Sequence, residues 1–195
     1  MREGRDFAII NHINNHFSDL SEDLKTIDTF ECFTNSNEKR RAILFDFLQI
    51  GELVNQLSDS FKKTFNNKDA ERLSAIRNRI VHGYSTIRDD IIFITLKEHL
   101  PLFINQLNDF AKEYYLTYLK QMIGKKVKVF VEDETITNSN IHYGHIEDLT
   151  TLSGTFQVVY VHGQIDNKED CVGRVINIIQ LDNEKMGLSI ELTNK

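Results

Sequence analysis

Apolar residues recur every three or four positions through the first 120 residues, and every second position after that. Phe7, Ile10, Ile13, Phe17, Leu20, Leu24 and Ile27 put one apolar stripe on a first long helix. The polar stretch TNSNEKR breaks the pattern, and Asn35 with Glu38 three residues on predicts the N-cap of a second helix. That helix runs through AILFDFLQIGELVNQL, which is apolar on more than one face and so is expected at the centre of a bundle. NNKD, ending at Asp69, marks another break. AERLSAIRNRIVH then predicts a third helix, with Gly83 placed to end it. A fourth helical segment runs from about Ile91 to Tyr118. The only proline, Pro101, should kink or restart it near His99 and Leu100.

Beyond Gln121 the runs VKVFVED, IHYGHIEDL, TFQVVYVHGQI, GRVINIIQL and GLSIEL alternate apolar and polar residues. Turn-rich stretches such as TNSN, LSG, DNKED and DNEKMG separate them, and six of the nine glycines fall here. The predicted class is α+β. An antiparallel helical bundle over residues 1–120 is followed by a small antiparallel β-barrel or rolled sheet over residues 121–195.

Composition narrows the function classes. With 41% hydrophobic residues, thirteen Phe and no Trp, the chain has the make-up of a globular protein. No apolar run reaches the roughly 18 residues of a membrane-spanning helix. MREGRDFAII lacks the apolar core of a secretory signal. Cys32 and Cys171 form no CxxC pattern, so a cytoplasmic protein with reduced thiols is expected. The net charge of −6 excludes a broadly basic nucleic-acid-coating surface, though not a small basic site. Residues 1–120 carry 16 basic against 18 acidic residues, and residues 121–195 carry 7 against 11.

The densest chemistry lies in RNRIVHGY, residues 77–84. On a helix, Leu73, Ile76 and Ile80 form the core-facing stripe, and His82 points roughly opposite it. Asn78 and Arg79 lie within about 60° of His82. On spacing alone a polar, solvated helix face is the ordinary account of such a run. The side-chain chemistry permits another. Imidazole exchanges protons near neutral pH, and a guanidinium that keeps its charge stabilises a phosphoryl group in its transition state. Arg77 and His82 do not share a face of one helix. Their convergence on a phosphate requires an unwound helix end at Gly83 or a second copy of the motif.

These eight residues match the R-x4-H-x-Y motif, with Asn after the Arg, and resemble those of HEPN-domain proteins. Among them the chain is most similar to the HepT-like toxins of HEPN/MNT toxin–antitoxin pairs, over about residues 1–118. The helix carrying Gly51-Glu52, the motif helix and a last helix with Leu100-Pro101 follow that layout. The resemblance implies a homodimer with facing motif helices and a metal-independent endoribonuclease acting on RNA without a cofactor. It assigns Arg77 and His82 as the catalytic pair and Asn78 as a supporting residue. Tyr84 becomes the tyrosine to which a partner MNT-type nucleotidyltransferase adds AMP, silencing the toxin. The segment 121–195 departs from the family. An alternative reading is a non-catalytic HEPN binding module that serves a nucleotidyltransferase or another enzyme as partner subunit.

Glu52 on an apolar helix calls for a partner, and a motif arginine is the obvious one. A surface-facing Glu, with Gly51 allowing close helix packing, accounts for the pair equally well. His12, His16, Asp19 and Asp23 line one face of the first helix, as metal ligands or as a solvated face, and the solvated face is the commoner case. His142, His145, His162 and Cys171 lack fixed spacing and read as strand residues. Lys125, Lys126 and Lys128 before Phe130 hint at nucleic-acid contact. The net −4 of their segment points instead to a protein-interaction or dimer-supporting module.

Overall fold

The structure, a computed structural model, describes residues 2–82, 88–135, 141–151, 155–163, 171–181 and 186–193. Helices come first and a closed five-stranded barrel follows, the α+β order expected from the two periodicities. The chain divides into two compact units, one of Ala8–Ala111 and one of Glu3–Phe7 with Lys112–Lys195.

The helical unit begins on α1 (Arg2–Leu24), whose Ile10, Ile13, Leu20 and Leu24 are buried as their spacing requires. Two short helices escaped the periodicity argument. The first is α2 (Phe30–Asn35), where Thr29 caps the N-terminus by accepting the Cys32 N–H at 3.2 Å. Asn35 is therefore the end of a helix rather than the start of one, and Ser36 is the N-cap of α3 (Asn37–Gln56). Six residues complete fewer than two turns, too few for an apolar period to show. The second is α4 (Asp59–Phe65), capped by Ser58, whose Oγ accepts the Phe61 N–H. The motif helix α5 (Lys68–His82) packs on α3, which buries Leu73 and Ile80.

α6 (Asp89–Ile94) runs into a π-helical turn at Thr95–His99, and α7 (Leu100–Met122) follows. Pro101 thus follows directly on the π-helical turn within one continuous run of helix, where the backbone has already left the i to i−4 pattern. The Leu100 N–H reaches back five residues to the Thr95 carbonyl, so near His99, the place expected for a kink or restart, the helix widens and runs on. Phe61, Phe65, Phe103 and Phe110 form a ring cluster between α4 and α7, with Phe61 and Phe110 edge to face at 5.1 Å.

In the second unit all five β-patterned runs are strands: β1 (Lys126–Thr135), β2 (Ile141–Thr150), β3 (Phe156–His162), β4 (Cys171–Gln180) and β5 (Met186–Leu192). They close in the order β1-β2-β3-β5-β4, with β4 back on β1. Every pairing is antiparallel except β3 with β5. Alternation sends Val127, Val129, Val159, Val161, Cys171, Val175, Leu188 and Ile190 inward. That core is completed from outside the strands, by Phe7 of α1 and Tyr115, Tyr118, Leu119 and Met122 of α7. The Tyr115 hydroxyl donates to the Gln157 side-chain oxygen inside the barrel. Among the described residues no helix is long and apolar enough to cross a membrane.

Candidate active site

The motif arginine faces α3 rather than water. Helical geometry sets Arg77 about 40° from Leu73, so its stem follows the buried stripe into the seam between α5 and α3. There Arg77 Nη2 donates to Glu52 Oε2, with the Arg77 side chain 22% exposed and that of Glu52 43%. Arg77 Nη1 also donates to Asn78 Oδ1 at 2.9 Å. Arg77 Nε is buried and has no hydrogen-bond partner among the described residues.

Gly51 explains why the stem fits. A Cβ built on Gly51 would lie 2.9 Å from Arg77 Cγ and 3.0 Å from Arg77 Cβ. These are the near, stiff atoms of the side chain, so any residue but glycine drives α3 and α5 apart or moves the guanidinium. The GE pair thus acts as one unit: Gly51 makes room for Arg77, and Glu52 fixes its far end. Of the two readings left open for this pair, the ion pair and the close packing are both present.

Asn78 is exposed on the outer side of α5, and His82 is the last residue of that helix. The His82 side chain, together with Gly83 and Tyr84, lies outside the described residues. Val81 stands between Asn78 and Arg77 around the helix and is 51% exposed, an apolar side chain at the middle of the motif face. Arg79 turns the other way. With Ile76, Ile91, Thr95 and His99 it lines a surface pocket between α5, α6 and the π-helical turn. Sequence spacing had grouped Arg79 with Asn78 about His82, and nothing in the sequence brought His99 to it.

The remaining candidates fall elsewhere. His16 Nδ1 lies 2.9 Å from Asp46 Oδ1 on α3, a local pair between two helices. Among the described residues no group of three or more His, Cys, Asp or Glu is placed to hold a metal ion. His145 stacks on Phe130, and His162 Nε2 is 2.8 Å from the Ser189 hydroxyl. Cys171 is buried inside the barrel.

A guanidinium held between a carboxylate and an asparagine, five residues before a histidine, is suited to a phosphodiester. Comparison with known proteins meets the same region. A family model described as HepT-like, Ribonuclease HepT-like, matches residues 11–110, almost the bounds of the helical unit. No curated protein and no solved structure matches the chain. The match spans more than half of the 195 residues and contains Gly51, Glu52 and the motif helix, and the chain belongs to the HepT-like ribonuclease family.

Proposed function

We propose that this protein is a metal-independent endoribonuclease whose site is built from Arg77 and His82 at a homodimer interface. The observation that carries the reading is the seating of Arg77. A cation with one carboxylate, one amide and a shaped packing niche is held for a task that needs a fixed position. In the reaction, the 2′-oxygen forms a bond to phosphorus as the bond from phosphorus to the 5′-oxygen breaks. His82 takes the 2′-hydroxyl proton, an imidazolium returns a proton to the leaving oxygen, and Arg77 neutralises the charge on the pentacoordinate phosphorus. Two motif helices facing each other supply one histidine for each proton transfer. Exposed Val81 beside the motif, and exposed Phe45 two turns before Glu52 on α3, support a partner chain on this side of the helical unit.

The same reading assigns Tyr84 as the residue modified by an MNT-type nucleotidyltransferase. AMP on Tyr84, two residues from His82, brings a bulky anion to the mouth of a phosphate site and repels RNA. The wild-type chain is expected to cleave RNA in the presence of a chelator. Arg77→Ala and His82→Ala are each expected to lower cleavage by at least about a hundredfold. Wild-type protein that leaves RNA intact overturns the catalytic reading and favours the non-catalytic partner subunit. Mass spectrometry of a Tyr84 peptide after incubation with the nucleotidyltransferase and ATP tests the modification, and a peptide with no added AMP removes that part alone.

A further inference from the structure

The barrel carries a second concentration of chemistry, on its outer face. Alternation along β1, β2 and β3 turns Lys126, Lys128, Phe130, Tyr143, His145, Val158 and Tyr160 away from the core. Register then sorts them into rows. Phe130 is opposite His145, and His145 opposite Val158; two residues along, Tyr143 is opposite Tyr160. The Phe130 and His145 rings stack at 5.4 Å with 16° between their planes, and those of Tyr143 and Tyr160 meet at 5.0 Å. The rows are held close by Gly144, whose missing Cβ would fall 2.3 Å from the Phe130 carbonyl oxygen. Cations border the rings. The Lys128 ammonium lies 5.1 Å from the Phe130 ring centre, and Lys126 pairs in register with Arg174 on β4. The carboxylates described on this side are Glu132, 3.2 Å from His145, and Glu191, opposite Arg174.

The strand order, with its parallel β3–β5 pair closing a Greek-key barrel, is that of the oligonucleotide- and oligosaccharide-binding fold. Topology alone leaves the ligand open. The side chains decide it. Four aromatic or heteroaromatic rings beside a lysine-arginine edge offer faces for bases and charge for phosphates, whereas a neutral sugar has no use for the cations. Of the eleven acidic residues after Gln121, Asp166, Glu169, Asp170, Asp182 and Glu184 lie in sequence between the strands, while Glu132, Asp133 and Glu134 are on β1, Glu147 and Asp148 on β2, and Glu191 on β5.

We propose that the outer face of β1, β2 and β3 binds single-stranded RNA, with bases on the Phe130–His145 and Tyr143–Tyr160 pairs and the phosphate chain along Lys126, Lys128 and Arg174. The inference rests on the ribonuclease reading only for the choice of RNA over DNA. It is tested by fluorescence anisotropy, titrating the full chain carrying Arg77→Ala into a labelled single-stranded RNA of about 12 nucleotides. Adding Phe130→Ala and Tyr160→Ala is expected to weaken binding at least about tenfold, while Tyr143→Phe, which keeps its ring, is neutral. Three phosphate contacts give a slope of log affinity against log salt near about −2, and Lys126→Glu with Lys128→Glu reduces it. Circular dichroism melts check that each variant is folded. If the double ring variant melts early, the lysine pair, on exposed positions, decides the question. Unchanged affinity in folded ring and lysine variants overturns the proposal, as does absence of RNA binding. Cleavage by the chain with native Arg77 is read separately from its products, so either proposal can fail while the other stands.

Discussion

Arg77 occupies space that Gly51 leaves empty, and this makes a residue without a side chain as consequential as the charged one it faces. Gly51→Ala keeps helix propensity favourable, yet it places a methyl group against Arg77 Cγ. Cleavage is expected to fall about a hundredfold through displacement of the guanidinium, with a stability cost of about 1–3 kcal/mol from overpacking. Glu52→Gln separates positioning from packing. It retains an acceptor of the same shape while removing the charge, and the pair is partly exposed, so the stability change should stay within about 1 kcal/mol. Its effect is expected in turnover, about a tenfold fall with RNA affinity unchanged. Turnover equal to wild type in Glu52→Gln would show that the ion pair does not position Arg77. Glu52 was legible in the sequence as a carboxylate in need of a partner. The seat made by Gly51 was not, because it depends on how closely α3 and α5 approach.

Among the elements, α7 does two jobs, and its aromatic residues show where the second begins. Tyr115 is buried, and its hydroxyl donates to Gln157, a residue with no exposed surface. Burial, with Tyr118 nearby, raises the Tyr115 hydroxyl well above its ordinary pKa of 10.0. The folded state therefore holds this proton more tightly than the unfolded state. Its stabilising contribution is complete below pH 10 and is lost as pH rises through the higher folded value. Tyr115→Phe should remove that alkaline sensitivity, seen as a flatter loss of stability above pH 10 in denaturant titrations. It should also cost about 1–3 kcal/mol at neutral pH, because the Gln157 oxygen loses its donor. An unchanged alkaline profile would mean that Tyr115 is not the group that titrates. Helix and strand types were readable from period 3.6 and period 2. α2 and α4 were not, since six or seven residues bounded by Ser and Thr caps present no stripe long enough to recognise.

For the whole molecule, the family match and the compact helical unit cover nearly the same residues, and the barrel unit stands outside the match. The barrel core is not filled by its own strands alone. Phe7, Tyr115, Tyr118, Leu119 and Met122 belong to its core. A segment beginning at Gln121 would keep the strands and lose four of these five side chains. It is expected to show no cooperative thermal transition, whereas a segment beginning at Lys112 and lacking only Phe7 should melt cooperatively. Cooperative melting of the shorter segment at the temperature of the longer one would refute the assignment of α7 to this core.

By itself the sequence determined the two periodicities, the α+β order, the five strands and the motif RNRIVHGY, because each is a local pattern repeated along a few turns or pleats. It also located the family, through residues lying within one helix and its neighbour. Only the tertiary structure decided which side chains meet across elements. Arg77 came to Glu52 and Gly51, Arg79 to His99, and the rings of β1, β2 and β3 to one face. Those meetings depend on helix approach and strand register, which are set by packing between segments far apart in the chain.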